Sequence, residues 1–230
     1  MQELILYWQP ILDLERGTTV GYEALARWEH GGEPVPPAAF LPSLLGSELE
    51  LPWLRLQLRQ VRHKLAELPR QQWVSFNLSE YAFEWPDLPG LLLEEIWDTD
   101  RLLIEVSENL LLGAEGVAAL NLRRLSEQTK GLAIDDFGTG YSSFLRLLGV
   151  TAGLFRFLKL DAQIVIGCSQ NLIQQAIIHC LVSLAEELHL NLIAEGVESE
   201  ADRDWVRRAG VRYGQGYLLG RPSRETPISF

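Results

Sequence analysis

Sulfur and imidazole are scarce in this sequence. Its 230 residues include one methionine, two cysteines (Cys168 and Cys180) and four histidines (His30, His63, His179 and His189). Two cysteines do not make a disulfide framework, and no Cys or His spacing suits a zinc site. The cysteines read as buried reduced thiols. Basic residues are also in deficit: 20 Lys and Arg stand against 31 Asp and Glu, a formal net charge of −11. That balance argues against binding duplex nucleic acid, which depends on Lys and Arg neutralising phosphates. Long apolar runs are missing too. Stretches such as "LLIEVSENLLLG" carry charges and fall short of the roughly 20 residues that cross a bilayer. With no internal repeat, low-complexity linker or secretory signal, a soluble cytoplasmic domain is expected.

What is present is a rhythm. Short β-rich runs occur at 4–8, 18–28, 73–79, 101–108, 131–136, 154–161, 190–198 and, weakly, 212–217. Helical apolar periods lie between them, most clearly at 52–68, 113–128, 171–189 and 199–210. The last opens on Ser199 as N-cap with acidic residues in its first turn, and stops at Gly210. Eight strand-like runs alternating with helices predict an α/β fold, a (β/α)8 TIM-like barrel forming one domain over 1–230. A doubly wound open sheet is the competing pattern.

Glu23, Asn77, Glu105, Asp135, Lys159 and Glu195 each fall toward the end of a strand-like run, where a barrel gathers its chemistry. Asp136 doubles Asp135. Taken singly, each has a structural explanation: Glu23 as an ion pair with Arg27, the aspartates as helix caps, Lys159 as a snorkelling rim residue. Taken together they would place five carboxylates on one face, and burying each unpaired costs several kcal/mol. An all-oxygen set without Cys or His selects a hard cation, Mg²⁺ or Mn²⁺. A carboxylate shared between two such ions is the usual arrangement for phosphodiester cleavage, and a lysine beside them would hold the attacking water.

Seven motifs in order carry a family resemblance. They are "EALAR" (23–27), "NLS" (77–79), "EVSEN" (105–109), "DDFGTGYSSF" (135–144), "LKLD" (158–161), "AEGVE" (194–198) and "GQGYLLGRP" (214–222), within a motif-bearing core of 7–222. The chain resembles the EAL family of cyclic di-GMP phosphodiesterases. The resemblance implies a barrel with one antiparallel strand and hydrolysis of cyclic di-GMP to linear pGpG. It implies a first metal on Glu23, Asn77, Glu105 and Asp135, and a second on Asp135 and Asp136 with Glu195 as ligand or base. Gln215 would join the metal shell, Lys159 would hold the nucleophilic water, and Asp161 would support it. Arg27, Gln9 and Leu25 would contact the nucleotide. Glu108 and Glu198 would anchor the loop 137–144, which in this family also reaches a homodimer interface. Ca²⁺ is expected to inhibit. A chain this short leaves no room for a sensor, so linked sensory or GGDEF domains are expected in a longer native protein. A non-catalytic cyclic di-GMP receptor of the same fold is the rival reading.

Two departures stand out. The family's catalytic lysine usually lies 21 residues after the first aspartate of the doublet, where this chain has Arg156. The "LKLD" context favours Lys159, with about three residues inserted before it. "PPAAF" (36–40) has Ala38 and Ala39 where many relatives carry an acidic residue that reads a guanine edge, so weaker nucleotide affinity is expected.

Overall fold

The computed structural model describes residues 2–30, 33–107, 110, 115–137 and 153–224. Glu108, Gly138, Gly140 and nearly all of the loop 137–144 lie outside those residues, as does the side chain of Asp136. Among the described residues nine strands form one sheet: β1 (Gln2–Asp13), β2 (Thr18–His30), β3 (Glu33–Val35), β4 (Trp73–Asn77), β5 (Leu102–Ser107), β6 (Gly131–Phe137), β7 (Phe155–Leu160), β8 (Asn191–Ala194) and β9 (Tyr213–Gly214). The strand order is β1-β9-β8-β7-β6-β5-β4-β2-β3, and β1 also pairs with β2. That extra pairing closes eight strands into a ring and leaves β3 as a hairpin flap on β2. The competing open sheet is thereby excluded. β1 runs antiparallel to both neighbours, β2 and β9, while the strands from β2 through β4 to β9 run parallel.

Helices wrap the outside. They are α1 (Leu41–Leu44), α2 (Glu50–Glu67), α3 (Leu88–Glu95), α4 (Gly116–Gln128), α5 (Ala162–Val165), α6 (Leu172–Leu188) and α7 (Glu200–Arg208). In α2, Leu54, Leu58, Val61 and Leu65 are buried at spacings of four and three, the stripe a sheet-packed helix needs. Ser199 caps α7 as read from sequence: its hydroxyl accepts from Asp202 N at 3.1 Å. Acidic residues open α7 and Arg207 and Arg208 close it, matching the helix dipole. His189 is not inside α6 but caps it, in a left-handed conformation with φ of 56°. Helix α3 escaped the sequence reading, since eight residues opening on Leu-Pro-Gly show little period. Both cysteines are free: Cys168 is buried as expected, but Cys180 is exposed, because it lies on the outward side of α6.

The hydrophobic interior splits in two. One cluster lies between the barrel and its helices. A second is built from Ile11, Trp73, Leu103, Ala133, Phe157 and Ile193. On the parallel strands each of these sits two residues before a polar group on the same face, as in Leu103–Glu105, Ala133–Asp135, Phe157–Lys159 and Ile193–Glu195. This cluster is the plug of the barrel, a side-chain layer beneath the polar end. Gly21 makes room for it: a Cβ there would lie 2.7 Å from the Trp73 ring.

Candidate active site

Above the plug, the strands deliver a ring of charge centred on Lys159. The Lys159 side chain is 1% exposed and its Nζ lies 2.7 Å from Glu105 Oε2, 2.7 Å from Glu195 Oε1, 2.8 Å from Asp135 Oδ1 and 3.4 Å from Glu23 Oε1. With Lys159 itself on β7, the group draws on five strands: Glu23 from β2, Glu105 from β5, Asp135 from β6 and Glu195 from the turn just beyond β8. β6 is irregular where its aspartates fall: the register with β7 shifts between Ile134 and Phe137. Asp135 keeps the face of Ala133, two residues earlier on the strand. After β8, Gly196 turns the chain with φ of +67°, and a Cβ there would meet Ala162 Cβ at 2.6 Å. That turn brings Glu195 and Glu198 to the cleft instead of extending the strand to 198.

Amides complete the ring. Asn77 Nδ2 donates to Glu23 Oε1 at 3.0 Å. Gln215 Nε2 donates to Glu23 Oε2 and to Gln9 Oε1, and Gln9 Nε2 donates to Gly220 O. A cleft of about 350 Å³ opens over this group, lined also by Leu25, Glu198 and Tyr217. A roomier cleft of about 570 Å³, between β1 and α2, has Glu67 as its single lining carboxylate, so chemistry rather than volume marks the site.

Four carboxylates around one ammonium cannot all stay ionised at little cost. Burial opposes the Lys159 charge, but Asp135, Glu105, Glu195 and Glu23 outweigh it and hold its pKa well above the usual lysine value. Burial, with the charge of Glu23 added, pushes Glu105 well above the usual carboxylate range. Glu195 rises to about 7, through burial and the charges of Glu23 and Asp135, which together overcome Lys159. Burial also acts on Glu23, but Lys159 and the Gln215 and Asn77 hydrogen bonds keep it low. Arg27 feels the Glu23 charge, but among the described contacts Glu23 pairs with Lys159. The Arg27 guanidinium donates to Ala26 O at 2.7 Å and lies 5.9 Å from the centre of the Tyr7 ring, at the margin of the cleft.

The donor set fits a hard cation. Glu23, Asn77, Glu105, Asp135, Glu195 and Gln215 supply only oxygen ligands, and negative charge exceeds what one ammonium neutralises. Gln215 Oε1 is buried without a hydrogen-bond partner, a free oxygen at this cluster. Among the described residues no three acidic, cysteine or histidine groups already stand as a metal cluster; their common centre holds Lys159 Nζ.

Asp161 lies just past the end of β7 at Leu160 and caps α5, one oxygen of its carboxylate accepting from Gln163 N at 2.7 Å. Ser75 was missed altogether. It is fully buried, and its hydroxyl donates to Glu105 Oε1. Its place two residues before Asn77 on one strand was the available signal. Tyr217 lay in a recognised motif without a role; it lines the cleft beneath the Arg221 guanidinium, 4.2 Å from its ring centre.

The EAL domain profile matches residues 1–222. The chain is 35% identical to the cyclic di-GMP phosphodiesterase RocR of Pseudomonas aeruginosa, over 97% of this chain and 58% of RocR. It is 34% identical to the bifunctional diguanylate cyclase/cyclic di-GMP phosphodiesterase MucR of the same species, over 96% of this chain and 33% of MucR. It thus spans a third to somewhat over half of these relatives. The phosphodiesterase PaMucR, solved in complex with c-di-GMP, superposes with a TM-score of 0.83 at 32% identity, covering 96% of this chain and 92% of that one. Klebsiella pneumoniae BlrP1, solved with manganese and c-di-GMP, gives a TM-score of 0.81 at 25% identity, covering 97% of this chain and 60% of BlrP1. Profile, relatives and barrel agree, and this chain belongs to the EAL domain family of cyclic di-GMP phosphodiesterases.

Proposed function

We propose that this chain hydrolyses cyclic di-GMP to linear pGpG with two Mg²⁺ or Mn²⁺ ions. The observation that carries the reading is the convergence of Glu23, Glu105, Asp135 and Glu195 on one buried lysine at the barrel mouth. Bound there, the ions would supply Lewis-acid charge and a water of lowered pKa. Glu23, Asn77, Glu105 and Asp135 would hold one ion, and Asp135, Asp136 and Glu195 the other, with Gln215 Oε1 completing the shell. Lys159 donates to the attacking water and fixes its line of approach. Where Glu195 acts as base rather than as ligand, it would take the water's proton, held in place by the Lys159 ammonium 2.7 Å away. The water oxygen adds to phosphorus, one ester P–O bond breaks, and the leaving ribose oxygen takes a proton from solvent in the cleft, to which the base returns the proton it removed. Arg27 meets a ligand phosphate, while Gln9 and Leu25 line the nucleotide's seat. Glu198 would anchor the loop 137–144 together with Glu108. Ile11, Trp73, Leu103 and Phe157 close the barrel below the site.

The chain also presents an apolar face that suits a second copy. Ile166, Leu172 and Ile173, after Lys159, are 46%, 82% and 73% exposed. A homodimer contact over this segment would cover them. Relatives three times as long and more support a working context with linked sensory or GGDEF domains.

The deciding experiment incubates purified protein with cyclic di-GMP and Mg²⁺ or Mn²⁺ and follows products by chromatography. Linear pGpG is the expected product. Nucleotide binding without product would leave a receptor and overturn the catalytic reading.

A further inference from the structure

Among the groups touching the four site carboxylates, one has no role in the reaction as derived. Ser75 lies on β4 between Trp73 of the plug and Asn77 of the rim, all on one strand face. It is 0% exposed, and Glu105 is 1% exposed. The two oxygens of Glu105 have divided duties. Oε1 accepts the Ser75 hydroxyl from the plug side, and Oε2 faces Lys159 Nζ at 2.7 Å. Leu103 and Phe157 in the layer below carry no hydrogen-bond donor on their side chains.

We infer that Ser75 is a positioning residue for the metal site, setting the rotation of the Glu105 carboxylate so that Oε2 faces the ion. This rests on the metal-dependent reading above. Glu105 has three side-chain torsions, the terminal one broad. A donor on Oε1 removes that freedom before any ion arrives, so the ordering cost is met during folding. Partners of metal-ligating carboxylates typically change metal affinity 10- to 100-fold when lost. A packing role predicts otherwise: Ser75→Ala removes one oxygen atom and no carbon, so a residue needed only for its size would hardly notice.

The test is calorimetric titration of Mn²⁺ into chelator-stripped protein without nucleotide, for the parent, Ser75→Ala, Ser75→Cys and, as a packing control, Ile193→Val. Circular dichroism confirms that each is folded. Ser75→Ala should raise the Mn²⁺ Kd by about 10- to 100-fold. Ser75→Cys keeps the shape but offers only a weak S–H donor, so it should fall with Ala. Ile193→Val should stay within about threefold of the parent, being a loss of one carbon from the plug without any polar partner. In turnover assays the Mn²⁺ requirement of Ser75→Ala should rise while kcat at saturating Mn²⁺ stays within a few-fold of the parent. A parent that binds Mn²⁺ with Ser75→Ala binding equally well overturns the role of Ser75. So does a Cys variant that binds like the parent, or an Ile193→Val variant as weak as Ser75→Ala. A parent that binds no Mn²⁺ overturns the metal reading itself, and the inference with it.

Discussion

Removing the Lys159 ammonium should separate chemistry from binding. Lys159 is fully buried and faces four carboxylates within 3.4 Å. Lys159→Ala leaves those charges without their cation. Breaking a buried ion pair from one side costs about 3–5 kcal/mol, which should appear as a lowered melting temperature in chelator. The loss should depend on pH. Without Lys159, Glu105 and Glu195 are raised still further above their unfolded value of about 4.3. A carboxyl raised in the folded state contributes stability below its unfolded pKa and loses it as pH rises through the folded pKa. The deficit should therefore be largest above pH 7 and shrink toward pH 5. Saturating Mn²⁺ should restore much of the stability, because the ions replace the missing positive charge. Turnover should not return: a positioned proton-handling group is worth about 10²- to 10⁴-fold. Nucleotide binding measured in Ca²⁺ should survive. Arg156→Ala is the contrast. Arg156 is exposed at the far end of β7, its stem against Gly131, so the change should stay within about 0.5 kcal/mol and leave turnover near the parent. Chromatographic turnover and thermal melts read both variants. A Lys159→Ala enzyme that cleaves at the parental rate in saturating Mn²⁺, or an Arg156→Ala enzyme that does not cleave, refutes the reasoning.

Other outcomes follow from the same geometry. Hydrolysis should need Mg²⁺ or Mn²⁺ and stop in chelator, while Ca²⁺ permits binding with little turnover; full activity in excess chelator sinks the two-ion mechanism. Glu23→Ala and Glu195→Ala should each reduce turnover by orders of magnitude with the circular dichroism spectrum preserved, since both lie above the apolar plug; parental rates in both would remove the site assignment. Asp202 accepts from Ser199 Oγ, Gly167 N and Ser169 N, and these hydrogen bonds overcome burial to bring it to about 2. Asp202→Ala should cost about 1–3 kcal/mol at neutral pH. A carboxyl depressed in the folded state stabilises above its unfolded pKa, so the difference from the parent should fade between pH 4 and pH 2; a pH-independent difference in denaturant melts would contradict it. The pair Leu172→Asp and Ile173→Asp should shift the protein toward monomer in sedimentation experiments, and an unchanged sedimentation coefficient would place the dimer contact elsewhere.

Much of this was open to reading from the residues in order. Alternating strands and helices arise from local periodicity, and so do the Ser199 cap and the buried stripe of α2. Glu23, Asn77, Glu105, Asp135, Lys159 and Glu195 could be picked out because each ends a strand-like run, and strand ends in a barrel share one face. Lys159 could be preferred to Arg156 for a similar reason, since an odd separation on one strand sends the two side chains to opposite sides. In the structure Lys159 is buried at the site and Arg156 is exposed.

Other features needed the folded chain. Closure of the ring depends on β1 pairing with β2 and β9, and nothing local distinguishes a strand that closes a barrel from one that edges an open sheet. That β7 ends at Leu160 and leaves Asp161 to cap α5 was not legible either, because strand ends are set by which carbonyls find partners across the sheet. Gln9 and Gln215 are 206 residues apart yet share a hydrogen bond of 3.1 Å, a contact that exists only because β1 and β9 are neighbours in the ring. The doublet Asp135–Asp136 shows the division most clearly. Its composition announces a cation, since two adjacent carboxylates repel. Alternation puts Asp135 on the face of Ala133, but where that face lies relative to Lys159 is decided by the pairing of β6 with β7, and registers are set by long-range pairing between strands rather than by the residues of either one.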